Sequence, residues 1–420
     1  YEVVEVNASG RPIRVLQRVP AKPGKNVYLT IDQRLQKATI AAMDGQTGAA
    51  VAIDPRNGAV LAMVTVPSFD PNLFVNGISQ ADYSALLDNP EKPLLDRAMR
   101  GGYPPGSTVK PFLGLGGLEL GIRTPTDTVL STGTWYIPGS SRGYRDDQRY
   151  GAGNVNLMQA ITQSVNTYFY SLAYKMGIGR FDQWMAKWGF GKPTGIDLPD
   201  ETGGVLPSPE WKRKTFHKPW YTGETVIAGI GQGYWMVTPL QMAHALATLA
   251  DGGLAHVPHL LAATSDGLES PEIPANQPAP EQLTHDPRDL AAVRQGMLGV
   301  VNNPLGTAYG LGKGFPYLIA GKTGTAERYS RKTDAYNTNK SLAYLAERHR
   351  AWFIAYAPAE HPQIAVAVVL EHGAWGASAA APIARKMLDQ WLADTPPSER
   401  PPLPVIATAT ANTAPNAPTP

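Results

Sequence analysis

An α+β fold is expected: an antiparallel five-stranded sheet flanked by helices, beside an all-helical lobe. Three observations predict it. Two apolar, strand-like runs stand near the start of the chain and three near its end, with one helical pattern before the pair and another after the trio. The long stretch between the two groups is mostly helical in pattern. Asn57-Gly58, between the first two runs, is the signal of a tight hairpin, which makes that pairing antiparallel.

The elements follow in order. Residues 1–27 are strand-like, broken by Pro12, Pro20 and Pro23, and too short to fold alone. The chain opens on Tyr1 rather than Met, so they read as the stub of something larger upstream. Thr30-Ile-Asp-Gln33 has the form of a capping box, and Leu35, Ala38, Ala41 and Ala42 place a helix over Asp32–Met43. Ala50–Asp54 and Ala59–Val66 are the first two strands. Pro104-Pro-Gly106 arrests the chain just before Ser107, and Val109–Leu120 reads as a helix, so Ser107 falls at a helix N-terminus. A second helix covers Asn166–Met176. Thr238-Pro-Leu-Gln241 joins a capping box to a proline in the first turn, and Gly252-Gly253 ends that helix near Ala250. Ser265–Gln282 is a polar surface excursion, and a further helix runs from Asp286-Pro287 to near Val301. Tyr317–Ala320, Ala351–Ala357 and Gln363–Glu371 are the last three strands, and Ala379–Leu392 is the closing helix. The Pro/Ala/Thr-rich tail, residues 394–420, is expected to be disordered. Residues 28–393 are left as one large domain.

Composition excludes several functions. With 43% hydrophobic and 17% charged residues the chain can bury a large core. A net charge of +2, with no long Lys/Arg run, argues against nucleic acid as a partner. The absence of cysteine rules out disulfides, cysteine zinc sites and a thiol nucleophile. The longest strongly apolar run, Ile364–Leu370, is too short to span a bilayer. His256-Val-Pro-His259 has metal-like spacing, but with no cysteine and no acidic partner in view it reads as two ordinary surface histidines, and neither metal nor cofactor is expected.

Three short strings carry the chemistry: Ser107-Thr-Val-Lys110, Ser164-Val-Asn166 and Lys322-Thr-Gly-Thr325. A serine hydroxyl needs a base, and Lys110, three residues on, shares its helix face. A free lysine with a pKa of about 10.4 is a poor base at neutral pH, so burial and a second cation, Lys322, are expected to lower it. Ser164 can relay protons, and Asn166 can hold a substrate amide. Lys322, Thr323 and Thr325 suit a substrate carboxylate, Gly324 lets a substrate backbone lie close, and the Ser107 and Thr325 N–H groups suit an oxyanion. Ser-x-x-Lys alone is expected by chance about once in such a chain; the three strings in this order, on helix, loop and strand, indicate a serine acyl-transfer site in a cleft between the lobes. Tyr144-Arg-Asp-Asp147 is read as lining the cleft roof, Arg331–Arg350 as a flap over it, and Trp375 as a rim aromatic.

With Tyr103-Pro-Pro-Gly-Ser-Thr-Val-Lys-Pro111, Thr194-Gly-Ile-Asp-Leu198, Lys218-Pro-Trp-Tyr221 and Gly229-Ile-Gly-Gln-Gly-Tyr-Trp235, the chain resembles the transpeptidase domain of class B penicillin-binding proteins from about Val27 to Leu392. The last two strings favour the branch that serves rod elongation over the one that serves division. The resemblance implies acylation of Ser107 by the penultimate D-alanine of a stem pentapeptide, attack on the ester by a neighbouring stem peptide's amine, and β-lactams as mimics that acylate Ser107. It implies a general base at Lys110, a second motif at Ser164 and Asn166, and a third at Lys322–Thr325. Val165 departs from it, standing where many relatives carry aspartate. It further implies an N-terminal pedestal and membrane helix upstream of this chain, a place on the periplasmic face of the bacterial inner membrane, and RodA-type glycosyltransferase and MreC as partners. The motifs alone leave open a D-alanyl-D-alanine carboxypeptidase or endopeptidase, a serine β-lactamase, and a non-enzymatic β-lactam sensor.

Overall fold

The computed structural model describes residues 1–267, 271–272, 278–327 and 349–393. The expected tail, residues 394–420, lies outside them, as does the expected flap except for His349 and Arg350 at the start of a strand.

A five-stranded sheet forms the core. Its strands are β4 (Gly48–Ile53), β5 (Val60–Val66), β13 (Ala320–Glu327), β14 (His349–Ala357) and β15 (Ile364–Leu370), in the order β13-β14-β15-β4-β5 and all antiparallel. Every residue of β4 and β15 is buried, which is why both read as unbroken apolar runs rather than alternating ones. Helix α1 (Gln33–Ala42) packs on α11 (Ala381–Ala393) against this sheet, as expected of the first and last helices. Helix α9 (Pro239–Ala250) also lies against β4, β14 and β15, and Thr238 and Gln241 form its capping box as read.

Two boundaries differ from expectation. The cap of α1 is Asp32, whose carboxylate accepts from the Arg34 and Leu35 N–H groups; the Thr30 hydroxyl instead donates to the Val60 and His259 carbonyls. The strand expected at Tyr317–Ala320 begins at Ala320 and runs on to Glu327, so Lys322–Thr325 lies in its middle.

The second lobe is built on α4 (Lys110–Glu119), α5 (Leu157–Thr162), α6 (Asn166–Lys187), α8 (Thr222–Ala228) and α10 (Pro287–Asn302). The expected end at Met176 marks a real break: Gly177 leaves helical geometry, and the chain then turns helical again to Lys187. The lobe is not all-helical. Two small two-stranded sheets, β6–β9 (Val129–Ser131 with Gly153–Val155) and β7–β8 (Thr134–Tyr136 with Gly143–Arg145), interrupt it; three-residue strands are too short to show an alternation in sequence. Near the N-terminus β1 (Glu2–Val6) pairs with β2 (Pro12–Arg18), while β3 (Asn26–Leu29) pairs with β11 (Leu261–Ser265), so the main body already holds Asn26. No helix of the described residues is long and apolar enough to cross a membrane.

Candidate active site

The two lobes meet at Ser107. It sits in a single 3₁₀ turn, Gly106–Val109, that leads into α4. The turn is stitched on both sides. Trp352 Nε1 of β14 donates to the Pro104 carbonyl at 3.0 Å, and the Gly106 N–H donates to the Gly231 carbonyl, just after α8, at 2.9 Å. The approach at Gly231 requires glycine, because a Cβ there would stand 2.1 Å from the Gly106 oxygen. Tyr103, just upstream, gives its hydroxyl to Glu371 at 2.8 Å, and the buried Arg97 binds the same carboxylate oxygen.

Behind Ser107 both lysines are fully buried. Lys110 Nζ donates to the Ser164 carbonyl at 2.8 Å and to Asn166 Oδ1 at 2.6 Å, and lies 3.1 Å from Ser164 Oγ. Lys322 Nζ reaches the same Oγ at 2.9 Å and donates to the Thr323 carbonyl at 3.0 Å. Burial lowers the Lys110 pKa to about 8, against the pull of the Asp147 and Asp146 carboxylates. Lys322 falls well below its ordinary value, through burial first and then the Lys110 charge. The expected effect of one lysine on the other therefore falls on Lys322, while Lys110 is lowered by burial. Proton counting fits: a neutral Lys110 has two N–H bonds for its two carbonyl-type acceptors and keeps its lone pair for a hydroxyl proton.

Local sequence explains how Ser164 comes to stand there. It follows α5, with its N–H on the Ile161 carbonyl and the Val165 N–H on the Ala160 carbonyl. This is a Schellman closure, and Ser164 takes the left-handed position, φ 60°, that glycine usually fills. Helix α6 starts two residues later without a side-chain cap of its own. Asp146, from the loop after β8, takes that place: its carboxylate accepts from the Asn166 and Thr167 N–H groups and from the Ser131 hydroxyl. In sequence Asp146 was visible only as part of a presumed roof loop; its capping role depends on a fold contact that no local spacing encodes.

On β13, Thr325 is partly exposed, and its carbonyl accepts from Gln232 Nε2 at 3.3 Å. Thr323 is buried and its hydroxyl pairs with that of Thr307 at 2.6 Å. Gly324 also has a reason within the fold itself. A Cβ there would stand 2.8 Å from Thr108 Cγ2 and 2.9 Å from Trp352 Cβ, so the missing side chain lets β13 meet the Ser107 turn. The eight site residues read from sequence thus fall together along one seam. Trp375 is 45% exposed and packs on the His349 ring. His256 does have an acidic partner, Asp251 at 3.3 Å, which the sequence reading overlooked.

A helical lobe and a five-stranded sheet that close on Ser-x-x-Lys, Ser-x-Asn and Lys-Thr-Gly-Thr define a class, and the sequence agrees: the chain belongs to the family of the penicillin binding protein transpeptidase domain, matched over residues 48–389. Within it, the chain is 46% identical over 393 residues to the peptidoglycan D,D-transpeptidase MrdA of Escherichia coli K12, covering 93% of this chain and 61% of that protein. The chain thus spans about three fifths of the length of the curated relatives it matches. Among solved structures, Pseudomonas aeruginosa PBP2 in complex with WCK 5153 is similar at a TM-score of 0.79 and 45% identity, over 89% of this chain and 80% of that one. Helicobacter pylori PBP2 in its complex with MreC is similar at a TM-score of 0.79 and 32% identity, over 93% and 68%.

Proposed function

We propose that the chain is a peptidoglycan D,D-transpeptidase that cross-links stem peptides through an acyl-enzyme on Ser107 during cell elongation. The observation that carries this reading is the Ser164 hydroxyl held between two buried lysines, one of them a single helical turn beyond Ser107. Two ammonium groups this close and this dry leave the pair with one positive charge near neutral pH. The terminal carboxylate of the donor peptide, received by Lys322 and Thr325 with Thr323 bracing the strand, draws that charge onto Lys322. A proton shift through Ser164 then leaves Lys110 neutral, held in orientation by Asn166.

Ser107 Oγ attacks the carbonyl of the penultimate D-alanine and its proton passes to Lys110. The oxyanion forms between the Ser107 and Thr325 N–H groups. The amide C–N bond breaks, and the departing terminal D-alanine takes a proton delivered by Lys110 and Ser164. An acceptor amine then attacks the ester, forms the cross-link and returns the proton to Ser107. β-Lactams follow the first half of this path and remain on the serine. Residues 28–393 form the catalytic unit in this reading, and residues 1–27 the end of a pedestal that continues to a membrane helix on the periplasmic face of the inner membrane. The likeness to an MreC-bound relative supports MreC as a partner, and a RodA-type glycosyltransferase belongs to the same assembly.

Intact mass spectrometry after incubation with benzylpenicillin tests the chemistry: one long-lived adduct is expected on Ser107. An adduct that survives Ser107→Ala would sink the assignment. With paired stem pentapeptides a cross-linked dimer is expected; trimmed tetrapeptide alone would make the chain a carboxypeptidase.

A further inference from the structure

Helix α7 (Pro209–Phe216) carries one buried charge, Lys212, which is 2% exposed and takes no part in the proton path above. Its ammonium pairs with Glu224, in the first turn of α8, at 2.5 Å. The other Glu224 oxygen accepts the Tyr221 N–H at 2.8 Å. Three rings stand around the ammonium, with centroids at 4.7 Å for Tyr221, 5.8 Å for Tyr234 and 5.9 Å for Trp220. Tyr221 precedes α8 and Tyr234 follows it, so a single ammonium clasps both ends of that segment. Trp211 and Phe216 of α7 pack on the Tyr234 ring as well, with centroids at 5.3 and 5.2 Å.

Burying an ion pair brings little net stability, because desolvation offsets most of the attraction. What the pair supplies is a fixed direction, and the clasped segment carries it to the nucleophile. Its middle hangs from the end of α8: the Gly231 N–H donates to the Ala228 carbonyl and the Gln232 N–H to that of Ile227. The Gly231 carbonyl then accepts the Gly106 N–H, and Gln232 Nε2 donates to the Thr325 carbonyl. These two contacts are neighbours, for a Cβ on Gly106 would stand 2.9 Å from the Thr325 oxygen and 3.3 Å from its nitrogen. The N–H and C=O of one strand residue point the same way, so Gln232 meets β13 on the side from which the Thr325 N–H also projects.

We propose that Lys212 is a positioning residue for acyl transfer: with Glu224 it holds Tyr221–Tyr234 in the shape that sets the Ser107 and Thr325 N–H groups on the oxyanion. The proposal rests on the acyl-enzyme reading above. Lys212 acts only through Gly231 and Gln232. Misaligned donors weaken the transition state more than the encounter complex, because charge develops on the oxygen only as the bond to Ser107 forms.

Stopped-flow acylation by benzylpenicillin separates the dissociation constant of the encounter complex from the first-order acylation constant. In Lys212→Met, which removes the charge from a side chain of similar length, the acylation constant should fall about 10- to 100-fold while the dissociation constant stays within about twofold. Glu224→Gln should do the same, and the double variant should lose no more than either alone. An unchanged acylation constant, with only a smaller fraction of the chain able to form the adduct, is the mark of a purely structural role and overturns the proposal. So does a loss confined to the dissociation constant, additive losses in the double variant, or failure of both single variants to fold. Absence of any Ser107 adduct in the native chain is a different failure, that of the acyl-enzyme reading itself, and the proposal falls with it.

Discussion

Lys110 and Lys322, from opposite walls of the cleft, converge on one atom, Ser164 Oγ, at 3.1 and 2.9 Å. Neither has a carboxylate in direct contact among the described residues, so the hydroxyl between them sets how their shared proton is distributed. It can accept from the charged amine and donate to the neutral one, and either lysine can hold the charge.

The pH profile of acylation should show this. In the native chain the rate of β-lactam acylation should fall above about pH 8, as the pair loses its last proton and with it the charge that receives the carboxylate. In Lys322→Met the dependence should reverse. Lys110 is then the only amine, burial still holds its pKa below that of a free lysine, and residual acylation should rise with pH as it becomes neutral. Stopped-flow acylation from pH 6 to 10 checks both; a falling profile in Lys322→Met is the result that counts against the assignment.

Asp146 should matter to both stability and rate. Asp146→Asn removes the charge at the N-terminus of α6 and weakens the bonds to the Asn166 and Thr167 N–H groups, at a cost of about 1–2 kcal/mol. Its carboxylate also supports the Lys110 charge, so the native alkaline limb should move to lower pH. Thermal unfolding with the acylation profile separates this from a purely structural effect, which would leave the limb in place.

Ser164 should divide stability from activity. Ser164→Gly relieves a left-handed non-glycine residue and should exceed Ser164→Ala in stability by about 1 kcal/mol. Both remove the bridging hydroxyl and should slow acylation by about 100-fold or more. Denaturant unfolding of the two variants side by side gives the first number and mass spectrometry of the adduct the second.

Gly324→Ala should weaken the seam itself. The added methyl meets Thr108 and Trp352 below 3 Å, so β13 must retreat from the Ser107 turn, at about 1–3 kcal/mol. Acylation should fall even though no group implicated in proton transfer has changed; an unchanged rate would mean the approach is looser than it looks.

The chain wrote some of this plainly and some not at all. The buried strands β4 and β15, the Asn57-Gly58 turn and the Thr238–Gln241 cap are local signals, and each appears where the sequence puts it. Thr30 misled because Asp32, two residues on, is itself a strong cap and the Thr30 hydroxyl has long-range carbonyls to satisfy. The extent of β13 was cut short at Ala320 because Lys-Thr-Gly-Thr lacks the apolar alternation of a strand; its lysine and glycine are buried by contacts with the other lobe. The three motifs were legible as residue types and their convergence as a consequence of fold class. The contacts that hold them, Asp146 on α6, Gln232 on Thr325 and Thr307 on Thr323, join segments that nothing in the sequence marks as neighbours.

The turn that carries Ser107 runs straight into α4 and is held to Gly231 within the helical lobe, while Trp352 ties it across to the sheet. Any widening of the cleft must therefore stretch the Trp352 bond, the one that crosses from the sheet to the turn. Aperture and nucleophile alignment are thus geared together: the wider the jaws, the less well aimed the serine.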